Sequence, residues 1–442
     1  MHLLYSLALL AVSLALLPYF IYQALRHGKY VGSLKDRLGA PPESARGAGR
    51  STIWVHAVSV GEFNAARPLI ASLKQKMPGR RVVVSTTTLT GQQLARADFP
   101  ALLDAVFYFP FDWAFIARRV IKHVSPDVVI ILETELWPNF LRQCRKLSVA
   151  TVIANGRISP RSFARYRRVR SFIKQVINDA SLLVMQSEAD RARALELGAD
   201  PSRVRVCGNL KYDIAGVGDQ GSGVRNNSLH DELDNQFALS SSPRLIVAGS
   251  TAPGEEKILL DTLKQVRAQT GLEDARLLIA PRHPERFNEV AGLISQSGFR
   301  LARRSQASIK GDQPEVILLD TIGELAAVYR FAAVVFVGGS LVPRGGHNII
   351  EPALYAKPII VGPHTENFRQ IVTDFSRADA LVQVSSTVAQ AEDGFAREVI
   401  RLLSDRETAR TVGARALDLL MKSRGATQCT VAAIEEVQHL EN

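Results

Sequence analysis

Short apolar, β-branched runs alternate with amphipathic stretches along most of the chain, and nearly every run ends in small or polar residues. Residues 53–57, 81–85, 127–132, 149–155 and 181–186 read as buried strands, most of them followed by a polar turn and a helical pattern. Residues 214–242 interrupt the series, being rich in Gly, Asn and Ser with weak periodicity. The strand pattern then restarts at 244–249, 276–280, 315–320, 334–337 and 358–361, and helices over 391–422 and 426–437 close the chain. Strands that alternate with helices build parallel sheets covered on both faces.

Two such series joined by a connection predict an α/β protein of two Rossmann-like domains facing a cleft. The expected boundaries are an N-terminal domain over 40–213, a linker over 214–243 and a C-terminal domain over 244–442. A chain of 442 residues exceeds one ordinary core, which agrees with two domains.

The N-terminus changes the picture. Residues 3–22 carry no charged side chain and are about long enough to cross a bilayer as one helix. Arg26, Lys29, Lys35 and Arg37 follow, so the positive-inside bias places the N-terminus outside and the rest in the cytoplasm. The expectation is an N-terminal transmembrane helix at 1–25. A cleaved signal peptide fits less well, since a basic leading region and a clear small-residue cleavage site are both missing. Net charge is +11, which suits an anionic surface or a phosphorylated substrate. Three scattered cysteines argue against a disulfide framework and against a zinc site.

Candidate chemistry gathers where strands hand over to helices. Glu62 stands at such an edge, where it serves either as a reactive carboxylate or as a helix-start acceptor of backbone N–H groups. Glu133 and Glu135 follow another buried strand, and unpaired carboxylates there are costly. Residues 157–174 hold six arginines and a lysine with aromatic residues between them, suited to a membrane surface or an anionic acceptor and less to nucleic acid. Arg282, next after a strand, suits a phosphate clamp. Gly338 and Gly339, then Gly345 and Gly346, lead into His347, Asn348 and Glu351. Glycines at a strand end let a phosphate approach backbone N–H groups, and Glu351 is placed to accept from ribose hydroxyls.

Several phrases in order carry a resemblance: HAVSVGE (56–62), FPFDW (109–113), ETELWPN (133–139), NGRIS (155–159), GNLKYD (208–213), PRHPERF (281–287) and GGHNIIEPA (345–353). Together they resemble the 3-deoxy-D-manno-oct-2-ulosonic acid (Kdo) transferases of lipopolysaccharide assembly, membrane-anchored glycosyltransferases of the GT-B fold. The resemblance implies inverting transfer of Kdo from CMP-Kdo to a lipid A precursor, lipid IVA, at the inner membrane. It implies that Glu62 is the general base and that Glu133 and Lys211 stabilise the transition state. It further implies that Pro281, Arg282, Ile322, Gly323, Glu324, Asn348, Ile349, Ile350 and Glu351 bind CMP. One departure stands out: the family usually has a histidine where this chain has Ala252, so its role would pass to His283 or His347. No DxD-like motif is present, so no metal or other cofactor is expected.

Two other readings remain open at this stage. One is another lipid-directed GT-B transferase or a nucleotide-sugar epimerase using a UDP-sugar. The other is a non-catalytic membrane protein whose basic face binds anionic lipid.

Overall fold

The structure, a computed structural model, describes residues 2–27, 31–98, 101–216, 223–306, 313–384 and 388–440. Lys29 and residues 217–222 of the expected linker lie outside the described residues. The chain divides into two compact units, one of residues 1–217 with 423–442 and one of residues 218–422.

The first unit holds strands β1 (Thr52–His56), β2 (Arg81–Thr86), β3 (Ala105–Tyr108), β4 (Val128–Leu132), β5 (Ala150–Gly156), β6 (Leu182–Met185) and β7 (Val204–Val206). All neighbours pair in parallel, in the order β3-β2-β1-β4-β5-β6-β7. Every residue of β1, β4 and β5 is buried, as strands sandwiched between helix layers require. One face packs Trp54, Phe107, Phe109 and Phe140; the other packs Ile53, Val55, Phe63 and Leu69. The second face also takes Ala426, Val431 and Ile434 from the last helix, Ala426–Leu440. The order reverses between β1 and β4, so the connections leaving their carboxyl ends run to opposite faces and open a crevice there.

The second unit repeats the plan with β8 (Leu245–Thr251), β9 (Arg276–Pro281), β10 (Leu301–Arg303), β11 (Val316–Leu318), β12 (Val334–Val337), β13 (Ile359–Val361) and β14 (Val382–Gln383). Its parallel order is β10-β11-β9-β8-β12-β13-β14, with the reversal between β8 and β12.

Three expectations change. Residues 2–27 form one helix, His2–His27, but among the described residues no helix is long and apolar enough to cross a membrane. The expected transmembrane anchor at 1–25 is therefore not supported. The start of this helix lies on the body of the first unit: His2 is buried, its ring 5.6 Å from Phe172, and the Tyr5 hydroxyl donates to Asp112 at 2.9 Å. Second, part of the stretch read as a linker is a helix, Gly223–Phe237. Third, Cys207 and Cys429 are disulfide-bonded, with Cα atoms 5.4 Å apart. A separation of 222 residues hid that pairing, because spacing identifies only short-range cysteine motifs.

Candidate functional site

The first cluster is built at the carboxyl edge of the first sheet. Ser59 caps the helix Val60–Lys76, its hydroxyl accepting from the Glu62 N–H at 3.4 Å. The Glu62 side chain folds back so that Oε2 accepts from the Val58 N–H at 2.6 Å, a variant of the capping box with the donor one residue before the cap. The helix-start role read from the sequence is therefore real, yet it occupies only one carboxylate oxygen. Oε1 has only a long 3.4 Å contact with the Ser59 hydroxyl. Burial, then the negative charges of Glu133 and Glu135, push the Glu62 carboxyl up to about 7, against the pull of the Val58 hydrogen bond.

Glu133 follows β4 in the left-handed region, φ 57°, and its carboxylate meets Lys211 Nζ at 3.3 Å. Lys211 is set by its neighbours: the Leu210 N–H donates to Asn155 Oδ1, and the Lys211 N–H donates to Asn209 Oδ1, both at 3.0 Å. The phrases HAVSVGE, ETELWPN, NGRIS and GNLKYD thus converge on one place. FPFDW serves it indirectly. Asp112 accepts from the Asn139 and Phe140 N–H groups at 3.1 and 2.7 Å, capping the helix Pro138–Lys146 that follows Glu135. Burial pushes Asp112 up to about 6.

His56 was missed as a site neighbour. It is fully buried, stacked on Phe109 at 3.8 Å, with Nδ1 3.0 Å from the Ser85 carbonyl oxygen and Nε2 without a partner. Burial lowers its pKa to about 3, so the ring is neutral near pH 7. The signal in the chain is only its position at the end of β1.

The second cluster lies in the second unit. The Arg282 N–H donates to the Thr251 carbonyl, fixing the chain where β9 ends. Asn348 Oδ1 accepts from the Ile350 N–H at 3.0 Å, and its amide donates to Glu351 Oε1 at 3.1 Å. Ile349 and Ile350 are fully buried and anchor the turn of helix Ile350–Leu354. Burial raises the Glu351 pKa, and the Asn348 hydrogen bond and the Arg282 charge oppose it. Burial, then Arg282 and His283, lower the His347 pKa to about 4. Arg282, His283, His347, Asn348 and Glu351 thus feel one another, consistent with a compact polar site. Ala252, where the resemblance led to the expectation of a histidine, is buried, and its N–H donates to Glu255.

One sequence expectation needs correction here. The turn at Gly338 and Gly339 does not offer free N–H groups: those of Gly339, Ser340 and Leu341 donate to the buried Glu255 carboxylate at 2.8, 3.0 and 2.9 Å. Glu255 already fills the anion's place in that nest. The glycines serve packing instead. A Cβ on Gly338 would come within 2.5 Å of the Ser250 carbonyl oxygen, and one on Gly339 (φ 67°) would meet the His347 ring at 3.0 Å. Glu324 is likewise committed, accepting from Arg304 Nε and Nη2 at 2.8 and 3.1 Å and from the Thr321 hydroxyl at 2.6 Å. Beside it Ile322 is 79% exposed and Gly323 is left-handed, φ 88°, so the surface offered at 322–324 is backbone and an apolar side chain. Pro281 closes β9 and is buried. No group of three or more His, Cys, Asp or Glu side chains suited to a metal ion occurs among the described residues.

Two parallel-sheet α/β units, each with a polar cluster at its carboxyl edge, give the chain the plan of a GT-B-like α/β protein. Over residues 32–214 the chain matches the family described as 3-deoxy-D-manno-octulosonic-acid transferase (kdotransferase). A 3-deoxy-D-manno-octulosonic acid transferase of Haemophilus influenzae is 36% identical over 379 residues, 85% of this chain and 84% of the relative. A solved C-terminal CMP-Kdo binding domain from Acinetobacter baumannii is 30% identical, with TM-score 0.40 over 45% of this chain and 98% of that one. UDP-GlcNAc 2-epimerase from Neisseria meningitidis, 12% identical, shares the fold with TM-score 0.58 over 87% of this chain and 100% of that one. The chain belongs to the 3-deoxy-D-manno-octulosonic acid transferase family and is a glycosyltransferase of lipopolysaccharide biosynthesis.

Proposed function

We propose that the protein transfers Kdo from CMP-Kdo to a hydroxyl of a lipid A precursor, lipid IVA, with Glu62 as the general base. The observation that carries this reading is the Glu62 carboxyl. It is poised near pH 7, with one oxygen fixed by the Val58 N–H and the other uncommitted apart from the Ser59 hydroxyl. In the transfer step Glu62 takes the acceptor hydroxyl proton as that oxygen bonds to the anomeric carbon of Kdo from the face opposite CMP. The bond to the CMP phosphate breaks, and the configuration inverts. Glu133 holds Lys211, whose charge stabilises the transition state.

The donor's CMP moiety binds in the second unit, at Pro281 and Arg282, the backbone of 322–324, and the turn from Asn348 to Glu351. Arg282 and helix starts offset the leaving phosphate's charge, and the reaction needs no metal. The acceptor is a lipid, so catalysis takes place at the cytoplasmic face of the cell inner membrane. Two features support a membrane-surface location. Leu3, Leu4 and Leu7 on the first helix are 73%, 69% and 54% exposed, and the basic helix Pro160–Arg168 buries none of its residues.

The test is to incubate the purified protein with CMP-Kdo and lipid IVA and to weigh the products. Lipid mass should rise by whole Kdo residues with equimolar release of CMP, and EDTA should leave the rate unchanged. Transfer from a UDP-sugar, or none from CMP-Kdo, would refute the reading.

A further inference from the structure

A second polar site lies far along the first unit from Glu62. Helix Pro138–Lys146 leaves the carboxyl end of β4 and returns to the start of β5, so its last turn lies at the amino edge of the sheet. There a cleft of about 920 Å³ is lined by His2, Arg142, Arg145, Lys146, Arg170 and Lys174. That volume is in the range of small-ligand sites. Asp179 is the only acid on its wall among the described residues. It pairs with Arg145 at 3.0 Å and lies 3.6 Å from His2 Nε2. One carboxylate against five side-chain cations leaves four positive charges uncompensated. Arg170 Nε is bound by a neutral acceptor, the Glu196 carbonyl at 2.7 Å. Among the described residues no carboxylate lies within ion-pair distance of Arg142, Lys146 or Lys174.

The second observation is independent of charge. His2 is only 7% exposed, and its Nδ1 has no hydrogen-bond partner. Buried polar atoms are nearly always paired, and an unpaired one on a cleft wall marks a place for a ligand atom. The remaining wall is Ser171, Gln175 and Asn178, with no apolar or aromatic side chain. Such a wall offers nothing to an acyl chain or a nucleobase, and it suits a compact, strongly hydrated polyanion.

We propose that this cleft binds a phosphate-bearing polyanion, with Arg142, Lys146 and Lys174 supplying charge and His2 Nδ1 the buried polar contact. None of the residues placed in the transfer reaction lines it, so the site is separate from the donor and acceptor sites. The chemistry is shared by a free di- or oligophosphate and by a phospholipid headgroup reaching the cleft beside the exposed leucines of the first helix.

The test uses the full chain with inorganic pyrophosphate as probe, in titration calorimetry with CMP in excess to occupy the donor site. One saturable site is expected, weakened at least tenfold in Arg142→Gln/Lys174→Gln and several-fold in His2→Phe, which keeps a ring against Phe172. Lys146→Gln, at an exposed position, weakens binding in the same direction and remains informative if the double variant fails to fold. Displacement of bound pyrophosphate by phosphatidylglycerol vesicles, but not by phosphatidylcholine vesicles, assigns the ligand as a lipid headgroup. Displacement by neither assigns it as a soluble phosphate. Absence of saturable binding, or equal binding by the wild type and the folded variants, would overturn the proposal.

Discussion

Replacing Glu62 by Gln tests the site through stability and rate together. The Glu62 carboxyl is raised to about 7 from an ordinary 4.5. At about 1.4 kcal/mol per pKa unit, ionising it in the folded protein costs roughly 3 kcal/mol more than in the unfolded chain. The sign follows from proton binding. Between pH 4.5 and 7 the native state holds a proton that the unfolded chain has lost, so wild-type stability falls as pH rises through that window. It is lowest above pH 7. Gln keeps a side-chain oxygen for the Val58 N–H and carries no charge, so the variant escapes the loss. The three tryptophans, Trp54, Trp113 and Trp137, all lie in the first unit, so their fluorescence follows unfolding of that unit alone. Urea titrations should show the variant gaining about 3 kcal/mol on the wild type between pH 4 and pH 8.5. In the same range wild-type kcat/KM should rise about tenfold per pH unit up to about 7 and then level, while the variant loses roughly 10²- to 10⁴-fold. A stability difference that does not change with pH, together with a rate that ignores the substitution, would refute the reasoning.

Glu133→Gln removes the more effective of the two negative charges that raise Glu62, so the acid limb of the pH–rate profile should move to lower pH even as Lys211 loses its partner. Asp112→Ala leaves the Asn139 and Phe140 N–H groups without their acceptor, and the tryptophan-monitored unfolding free energy should drop by about 2 kcal/mol. Gly339→Ala would drive a methyl group against the His347 ring, and calorimetric CMP affinity should fall about fivefold, the equivalent of roughly 1 kcal/mol. Cys429→Ser, or reductant on the wild type, should lower the same unfolding free energy by about 2–4 kcal/mol.

The sheets were legible because burial on both faces forces nearly continuous apolar runs, and those runs are what a sequence displays most plainly. Strands β3, β7, β10 and β14 were missed for the complementary reason: they are two to four residues long, too short for a period to register. The Glu62, Glu133 and Lys211 cluster was legible from the order of its phrases, but its capping box and the Asn155 contact that seats Lys211 depend on distant backbone. The Gly338–Gly339 turn misled because a glycine pair looks the same whether an external phosphate or the chain's own Glu255 fills the nest. The first helix misled in a similar way. A run of leucines states how apolar a helix is, whereas the hold on its first turn comes from Asp112, Asn139 and Phe172, more than a hundred residues away.

The return of residues 423–442 to the first unit bears on how the protein is made. The slot filled by Ala426, Val431 and Ile434 stays open until the 205 intervening residues (218–422) have been synthesised. At about 5–20 residues per second that interval is roughly 10–40 s, during which the nascent first unit shows an unfilled apolar groove to the cell. The half of the enzyme that leaves the ribosome first is therefore the half that is finished last, and chaperone contact during translation should concentrate on that groove.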